Sequence, residues 1–568
     1  MSFINNLFRK KNVAEAIATA DRENALGGGL DKNLRLRDLT ALGIAAIIGA
    51  GIFSTIGSAS YNGGPGVVFL FIFTAVACGF AAFAYAEFAS MLPVSGSAYT
   101  YSYVAFGELI AWIIGWALIM EYAVGNITVA VSWSGYFTGL CDSLGWHVPS
   151  WAQTDYVSAH RGFGLAQTAM AGGATLETLS QADKESYLAW TGAPQIGGLK
   201  TILDIPAIVM SLLITALVYV GIKESKTAGN LMVALKMIVV LLVIVVGVFY
   251  VDTANWHPFV PHGFGGIMAG VSSVFFAYIG FDALSTTAEE CKNPQRDLPR
   301  AMVYSIVICT ILYILIALVL TGMVSYTELD VNDPLAFVFN KLNLKWFSGI
   351  IAVSAVVAMA GVFLVFQLGQ PRIWMTMSRD GLLPKRFSHI HPRFKTPDFA
   401  TIITAVFVIV PMLFIPSDTV LDLCSMGTLF AFVLVCGGVL KLQVTPGSPR
   451  GTFRTPYLNG KFIFPAMILA TVYAVYRWFP EDLAKWLRFE DGLHQIPILL
   501  FIITCLVLSV LSFLYNLSLI PLLGLVFCFY MMAQIPAKSW LGFFIWLAAG
   551  LVIYFGYGYK NSKMNREV

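Results

Sequence analysis

Gly43-Ile-Ala-Ala-Ile-Ile-Gly49-Ala50-Gly51-Ile52-Phe53 lies at the start of the first strongly apolar stretch of the chain. A helix that only faces lipid has no reason to concentrate glycine. Two glycines flanking a small residue permit the helix to unwind, since glycine tolerates backbone conformations other residues resist. Non-helical backbone at mid-membrane is acceptable only where it lines a cavity or is buried in protein. Unwinding exposes the N–H groups that begin the next half-helix, whose positive dipole end suits a carboxylate. It also frees carbonyl oxygens that can accept hydrogen bonds from an ammonium. A second stretch, Phe275-Phe276-Ala277-Tyr278-Ile279-Gly280-Phe281-Asp282, has the same character, with a glycine and an acid inside an apolar block. Close helix packing through small residues is the plain alternative for either stretch alone, and the pairing of two weighs against it.

The rest of the chain fits a membrane setting. It has 568 residues, 58% hydrophobic and 12% charged, with a mean hydropathy of +0.75, whereas a soluble domain carries about 25% charged residues. The apolar excess falls in blocks of about 20 residues, each long enough to cross a ~30 Å hydrocarbon core as a helix. Such segments are expected near 39–61, 66–92, 107–136, 202–222, 228–251, 264–288, 299–324, 346–378, 398–416, 419–441, 462–478, 496–514, 517–534 and 539–558. The expected fold is therefore an all-α polytopic membrane protein with fourteen transmembrane helices. Interrupted spans five helices apart are what inverted five-helix repeats produce, with substrate held at the bilayer midplane. The repeats would cover 39–251 and 264–441, and 462–558 would hold four further helices.

Charge placement orients the bundle. Most of the 35 lysines and arginines fall in segments that share a side with the N-terminus, which predicts a cytoplasmic N-terminus. An even span count puts the C-terminus there too, so 1–38 and 559–568 are read as cytoplasmic tails. The N-terminal tail lacks the apolar core and cleavage site of a secretory signal. The 137–200 loop is polar, with Trp146, Trp151 and Trp190, and is read either as a partly ordered external cap or as a tolerated insertion.

Ionisable residues within spans are expensive and informative. Glu121 falls near the middle of the third span, where it must face protein, water or substrate; a structural glutamate is the alternative. Lys236 lies in the fifth span, either snorkelling to the interface or serving as a proton-coupling cation. Asp282 is a further candidate, and Glu87 is read as a wetted position at a span end. All seven histidines fall outside the spans, so a histidine relay is not expected. Of eight cysteines only Cys141 is placed in an outside loop, so no disulfide framework is implied. No phosphate-binding loop, metal-site spacing or nucleophile elbow is found. These absences leave a secondary transporter, with no metal or cofactor, rather than an enzyme or an ATP-driven pump. The near-neutral charge gives no indication of nucleic acid.

The motifs resemble the amino acid–polyamine–organocation (APC) superfamily, in its bacterial cationic amino acid transporter (CAT)-like branch. Besides the two glycine stretches, they include Glu289-Glu290-Cys-Lys-Asn-Pro-Gln-Arg-Asp-Leu-Pro299, Met377-Ser-Arg-Asp-Gly-Leu-Leu-Pro384 and Phe453-Arg-Thr-Pro456. The resemblance implies a leucine-transporter-like core and an amino acid permease working by alternating access in the inner (plasma) membrane. It implies a substrate carboxylate near Gly49, Ala50 and Gly51, and an ammonium near the carbonyls of Ile47, Phe276, Ala277 and Ile279. Glu121 joins these as a candidate pocket residue. Lys236 matches a family lysine that occupies a sodium position, implying sodium-independent, proton-coupled transport. Phe366 falls at the side-chain end of the pocket, where its bulk would favour small or neutral amino acids. An amino acid/amine exchanger and, more remotely, a transporter-like receptor are the competing readings. The expected partners are a small amino acid, protons and the lipid bilayer; whether a small membrane protein docks on the added helices is left open.

Overall fold

Backbone N–H and C=O groups in lipid must be satisfied within their own segment, so apolar blocks fold as helices. The computed structural model describes residues 7–13, 34–49, 51–92, 97–173, 175–176, 178–179, 181–220, 226–331, 333–394, 396–448, 450–478 and 492–566. The first half begins with α1 (Leu36–Ile47), α2 (Ile56–Gly63), α3 (Val67–Met91), α4 (Ser97–Ala105) and α5 (Glu108–Ser143). Next come α6 (Tyr156–Ala171), α7 (Gln181–Gly192), α8 (Ile205–Val220) and α9 (Lys226–Val248). The second half holds α10 (Gly263–Ala269), α11 (Val271–Phe276), α12 (Pro294–Met323), α13 (Pro334–Lys341), α14 (Lys345–Arg379), α15 (Asp398–Met412) and α16 (Ser417–Val444). The chain closes with α17 (Gly460–Trp478), α18 (Ile496–Tyr515), α19 (Leu519–Gln534) and α20 (Ala537–Ile553). Among the described residues, seven helices are long and apolar enough to cross a membrane, and four more apolar helices are shorter. The molecule is an all-α polytopic membrane protein.

The structure changes one expectation and selects between the two readings of the 137–200 segment. Helix α5 runs past 136 to Ser143, so Cys141 is helical and buried rather than in a loop. The described residues of 144–200 form a cap: Ala159 of α6 and Ala189 of α7 pack with Ala193, Ile202, Trp151, Tyr156 and Trp190. A short hairpin pairs Gln195–Ile196 with Leu199–Lys200, and the Lys200 ammonium sits 4.9 Å from the Trp190 ring centre, a cation–π contact. The cap is tied to the bundle where the Tyr156 amide donates to the Leu413 carbonyl at 3.3 Å. Its core is built from alanine and aromatic rings spaced among polar residues, so no run of it is apolar enough to stand out in the sequence.

Residues 7–13 and 559–566 meet on one face, called here the terminal face. Arg9 donates to the Met564 carbonyl at 2.7 Å, and its own carbonyl accepts from the Glu108 amide at 3.0 Å. The Glu108 carboxylate is fully buried and accepts from Tyr103 at 2.9 Å, Tyr554 at 3.0 Å and Ser562. The Arg9 guanidinium lies 3.8 Å from it. Beside this cluster, Asp380 of the Met377–Pro384 motif takes Lys11 at 2.8 Å and Tyr99 at 2.7 Å. A buried carboxylate is stable only when such donors replace its hydration. Glu108→Ala leaves several donors and a cation without their acceptor, so it is expected to cost about 3 kcal/mol. A melting midpoint in detergent equal to that of the wild type would contradict this.

The Phe453–Pro456 motif is a strap on the same bundle. Glu87, expected to be wetted, is buried and accepts from the Thr455 amide at 3.0 Å. The Phe453 ring stacks on Phe83 with centroids 6.3 Å apart. Ser90 donates to the Phe453 carbonyl at 3.1 Å. The motif thus fixes the chain leaving α16 against the end of α3.

Candidate functional site

The first span breaks at its glycines. Helix α1 stops at Ile47, Ile48 turns extended (φ −77°, ψ 99°), and the chain resumes as a π-turn, Gly51–Thr55, leading into α2. The sixth span breaks as well: α10 and α11 are followed by turns through 277–281 and then a 3₁₀ stretch, Asp282–Glu290. Gly280 adopts φ +120°, a conformation open to glycine and strained for any side chain. The Asp282 carboxylate accepts the Gly280 amide at 3.3 Å and is buried inside the turn it stabilises.

The two breaks touch. A Cβ on Gly51 would lie 2.3 Å from the Ala277 Cα, and one on Gly280 would lie 2.8 Å from the Ala46 carbonyl oxygen. Backbone packs on backbone in both directions, a closeness only glycine allows. Hydroxyls fasten the contact. Tyr313 of α12 reaches both breaks, with its hydroxyl 3.0 Å from the Ile47 carbonyl and 2.8 Å from that of Ala277. Thr55 approaches the Gly51 carbonyl at 2.7 Å and the Ser273 carbonyl at 3.0 Å, and Ser58 and Ser273 hydroxyls lie 3.1 Å apart.

Each residue singled out in the sequence can now be placed. Ile47, Gly49, Gly51, Phe276, Ala277 and Ile279 are buried at or beside the paired breaks; Ala50 lies outside the described residues. Gly49 faces Val362 of α14, whose Cγ2 would be 2.5 Å from an added Cβ. Phe366, one turn further along α14, packs edge-on against Tyr122 with centroids 5.6 Å apart and lies beside Gly125 of α5. Lys236 is 3% exposed, and its ammonium donates to the Ala45 carbonyl at 3.3 Å, just ahead of the first break. It is directed into the bundle rather than out to the interface. Glu121 is 1% exposed and lies on the seam between α5 and α16, beside Gly427 and Cys424. Its Oε2 has no hydrogen-bond partner among the described residues.

Sequence reasoning passed over Tyr313, Thr55, Ser273 and Val362. The signal for the first three was a hydroxyl within an apolar run, which is common in spans and gains meaning only from what it faces. A tyrosine hydroxyl has one hydrogen to share between two carbonyls, so neither the Ile47 nor the Ala277 oxygen is saturated by it. Tyr313→Phe is expected to loosen the paired breaks and weaken substrate binding by about tenfold, matching a loss of about 1–1.5 kcal/mol for one hydrogen bond. Isothermal binding measurements check this, and unchanged affinity would remove Tyr313 from the site.

Two interrupted spans meeting inside a polytopic helical bundle, with an ionisable side chain at the edge of one break, define a membrane transporter rather than an enzyme. A family model described as amino acid permease matches residues 34–562, and the chain belongs to that family. It is similar to the branched-chain amino acid permease BcaP of Bacillus subtilis (strain 168), 36% identical over 564 residues that cover 99% of each chain. It is 34% identical to the methylthioribose transporter of the same organism, over 99% of this chain and 100% of that one. Cationic amino acid transporter 4 of Homo sapiens is 29% identical, over 96% of this chain and 90% of its own. The family expected from the motifs is the family found, and amino acid transport is the activity that the family and its branched-chain and cationic amino acid relatives support.

Proposed function

We propose that the protein imports amino acids across the plasma membrane by alternating access, driven by protons and without sodium. The observation that carries the reading is the contact between the two broken spans, held by the hydroxyls of Tyr313, Thr55, Ser58 and Ser273. Interrupted helices supply N–H groups for a carboxylate and carbonyl groups for an ammonium, which together match the α-amino acid backbone whatever its side chain. Gly49, Ala50 and Gly51 would take the carboxylate. The carbonyls of Ile47, Phe276, Ala277 and Ile279 would take the ammonium. Residues 39–251 and 264–441 would be the two inverted repeats, with 462–558 as four added helices and the terminal face in the cytoplasm. Lys236, inside the bundle against the carbonyl of Ala45, would supply the cation that sodium supplies in related folds and would bind and release the coupled proton. Glu121 would line the pocket floor, and Phe366 would limit its length. A branched-chain amino acid permease among the relatives and the bulk of Phe366 both favour a neutral amino acid over a cationic one.

Purified protein in liposomes should accumulate labelled neutral amino acids under an inward proton gradient in sodium-free buffer. No accumulation of any neutral or cationic amino acid, or accumulation of methylthioribose alone, would overturn the substrate reading. Uptake that requires internal amino acid and ignores the gradient would establish exchange in place of symport.

A further inference from the structure

Residues 7–13 lie along the terminal face with two unlike sides. Leu7 is buried, Arg9 and Lys11 are partly buried, and Phe8, Lys10 and Asn12 between them are exposed. The inward side is engaged: Arg9 holds the Met564 carbonyl and lies against Glu108, and Lys11 pairs with Asp380. The outward side presents a ring and an ammonium. Phe8 is 46% exposed, and among the described residues no acid pairs with Lys10.

The imbalance of charge extends beyond the segment. A Cβ on Gly107 would lie 2.5 Å from the Phe8 carbonyl, so the segment runs beside Phe106. The Lys441 ammonium of α16 sits 4.9 Å from the centre of the Phe106 ring. Lys441, Lys560 and Lys563 are exposed and, among the described residues, meet no acid. Glu108 and Asp380 are turned inward and taken up by the donors that surround them. Outward, the described residues of this strip carry positive charge without a counter-charge.

The strip also lies at a boundary. Helices long and apolar enough to cross a membrane begin at Glu108 and end at Val444 and Asn561. Residues 7–13 are therefore level with the ends of three spans, where hydrocarbon gives way to headgroups. Aromatic rings are favoured at that level, and each lysine near an anionic leaflet gains about fivefold in binding. Water alone would reward the lysines and penalise the exposed ring. An anionic leaflet accommodates both.

We propose that Phe8 and Lys10, with Lys441 on the rim, form a docking site for an anionic phospholipid. Lys10 meets the phosphate, and the Phe8 ring enters the boundary between headgroup and acyl chain. Arg9 and Lys11 tie the same short segment to Glu108 and Asp380, so a bound lipid also favours the assembled terminal face.

The test needs no transport. Full-length protein in uncharged detergent is titrated with phosphatidylglycerol or with phosphatidylcholine of the same acyl chains, and the rise in melting midpoint reads binding. Phosphatidylglycerol should act at a concentration about twenty-fivefold lower, the product of two lysines. Raising salt from about 0.1 M to about 1 M, which shortens the Debye length from about 10 Å to about 3 Å, should shrink that preference. Lys10→Gln should reduce it to about fivefold, and Lys10→Gln with Lys441→Gln to within about twofold, with the lipid-free midpoint of both unchanged. Phe8→Ser should weaken both lipids alike. Arg9→Gln, on the inward side, should instead lower the lipid-free midpoint. All eight native cysteines are buried, so a fluorophore on Asn12→Cys reports on the outward side alone, and brominated phosphatidylglycerol should quench it more than brominated phosphatidylcholine. This quenching, compared with and without Lys10→Gln, decides the matter should the double variant not fold. Equal action of the two lipids, an undiminished preference in the lysine variants, or free glycerol phosphate matching phosphatidylglycerol overturns the proposal.

Discussion

Gly51→Leu is expected to abolish substrate binding and uptake. The first atom of any side chain at this position would sit 2.3 Å from the Ala277 Cα, far inside van der Waals contact, and the obstacle is backbone rather than a side chain that can rotate away. Overpacking typically costs about 1–3 kcal/mol, and here the strain falls wholly on the contact between the breaks. A forced separation displaces Ile47 and Ala277 from Tyr313, and with them the carbonyls proposed to receive the ammonium. A loss of at least about tenfold in affinity follows even if the bundle inserts normally. Gly51→Ala carries the same Cβ and should share most of the defect, which separates close backbone approach from simple bulk. Thermal-shift titration with a neutral amino acid reads both variants. Wild-type affinity in Gly51→Ala would mean that the breaks do not need to touch.

Lys236→Met is expected to remove concentrative uptake while leaving the protein folded. Methionine keeps the apolar stem and removes the buried ammonium with its desolvation cost, a change that is often neutral or stabilising in protein interiors. A gradient of one pH unit supplies about 1.4 kcal/mol per proton, enough for about tenfold accumulation. In Lys236→Met the ratio of internal to external substrate should fall to about one under that gradient, with equilibration still permitted. Undiminished accumulation in the variant would take coupling away from Lys236 and pass it to Glu121 or Asp282, the other buried ionisable groups near the core. Loss of substrate binding as well would mean that the ammonium supports α1 through the Ala45 carbonyl rather than titrating.

The glycine stretches, the apolar blocks and the charged residues inside them were legible in the sequence because each is a local statement. A glycine cluster at mid-membrane or a lysine inside a span is costly wherever it occurs, so its presence alone carries information. Residues 43–53 and 275–282 accordingly marked both breaks, and the helices follow the apolar blocks closely. Less was legible where the energy is collective. The cap over 144–200 is held by alanine–aromatic packing and by one backbone bond to Leu413, neither of which has a hydropathy signature. Glu87 looked wetted by its place near a span end, and is buried because a segment more than 350 residues away lays the Thr455 amide on it.

By itself the sequence determined that this chain lives in a bilayer, that two of its spans are interrupted, and where an unavoidable charge is buried, since lipid penalises each of these residue by residue. Only the tertiary structure decided which interruptions meet, that Tyr313 joins them, that Val362 rather than Phe366 faces Gly49, and that Tyr136 of α5 donates to the Phe53 carbonyl inside the first break. Those facts depend on distances between helices far apart in the chain, and a hydrogen bond only about 3 Å long is specified by the packing of whole helices rather than by any one stretch of residues.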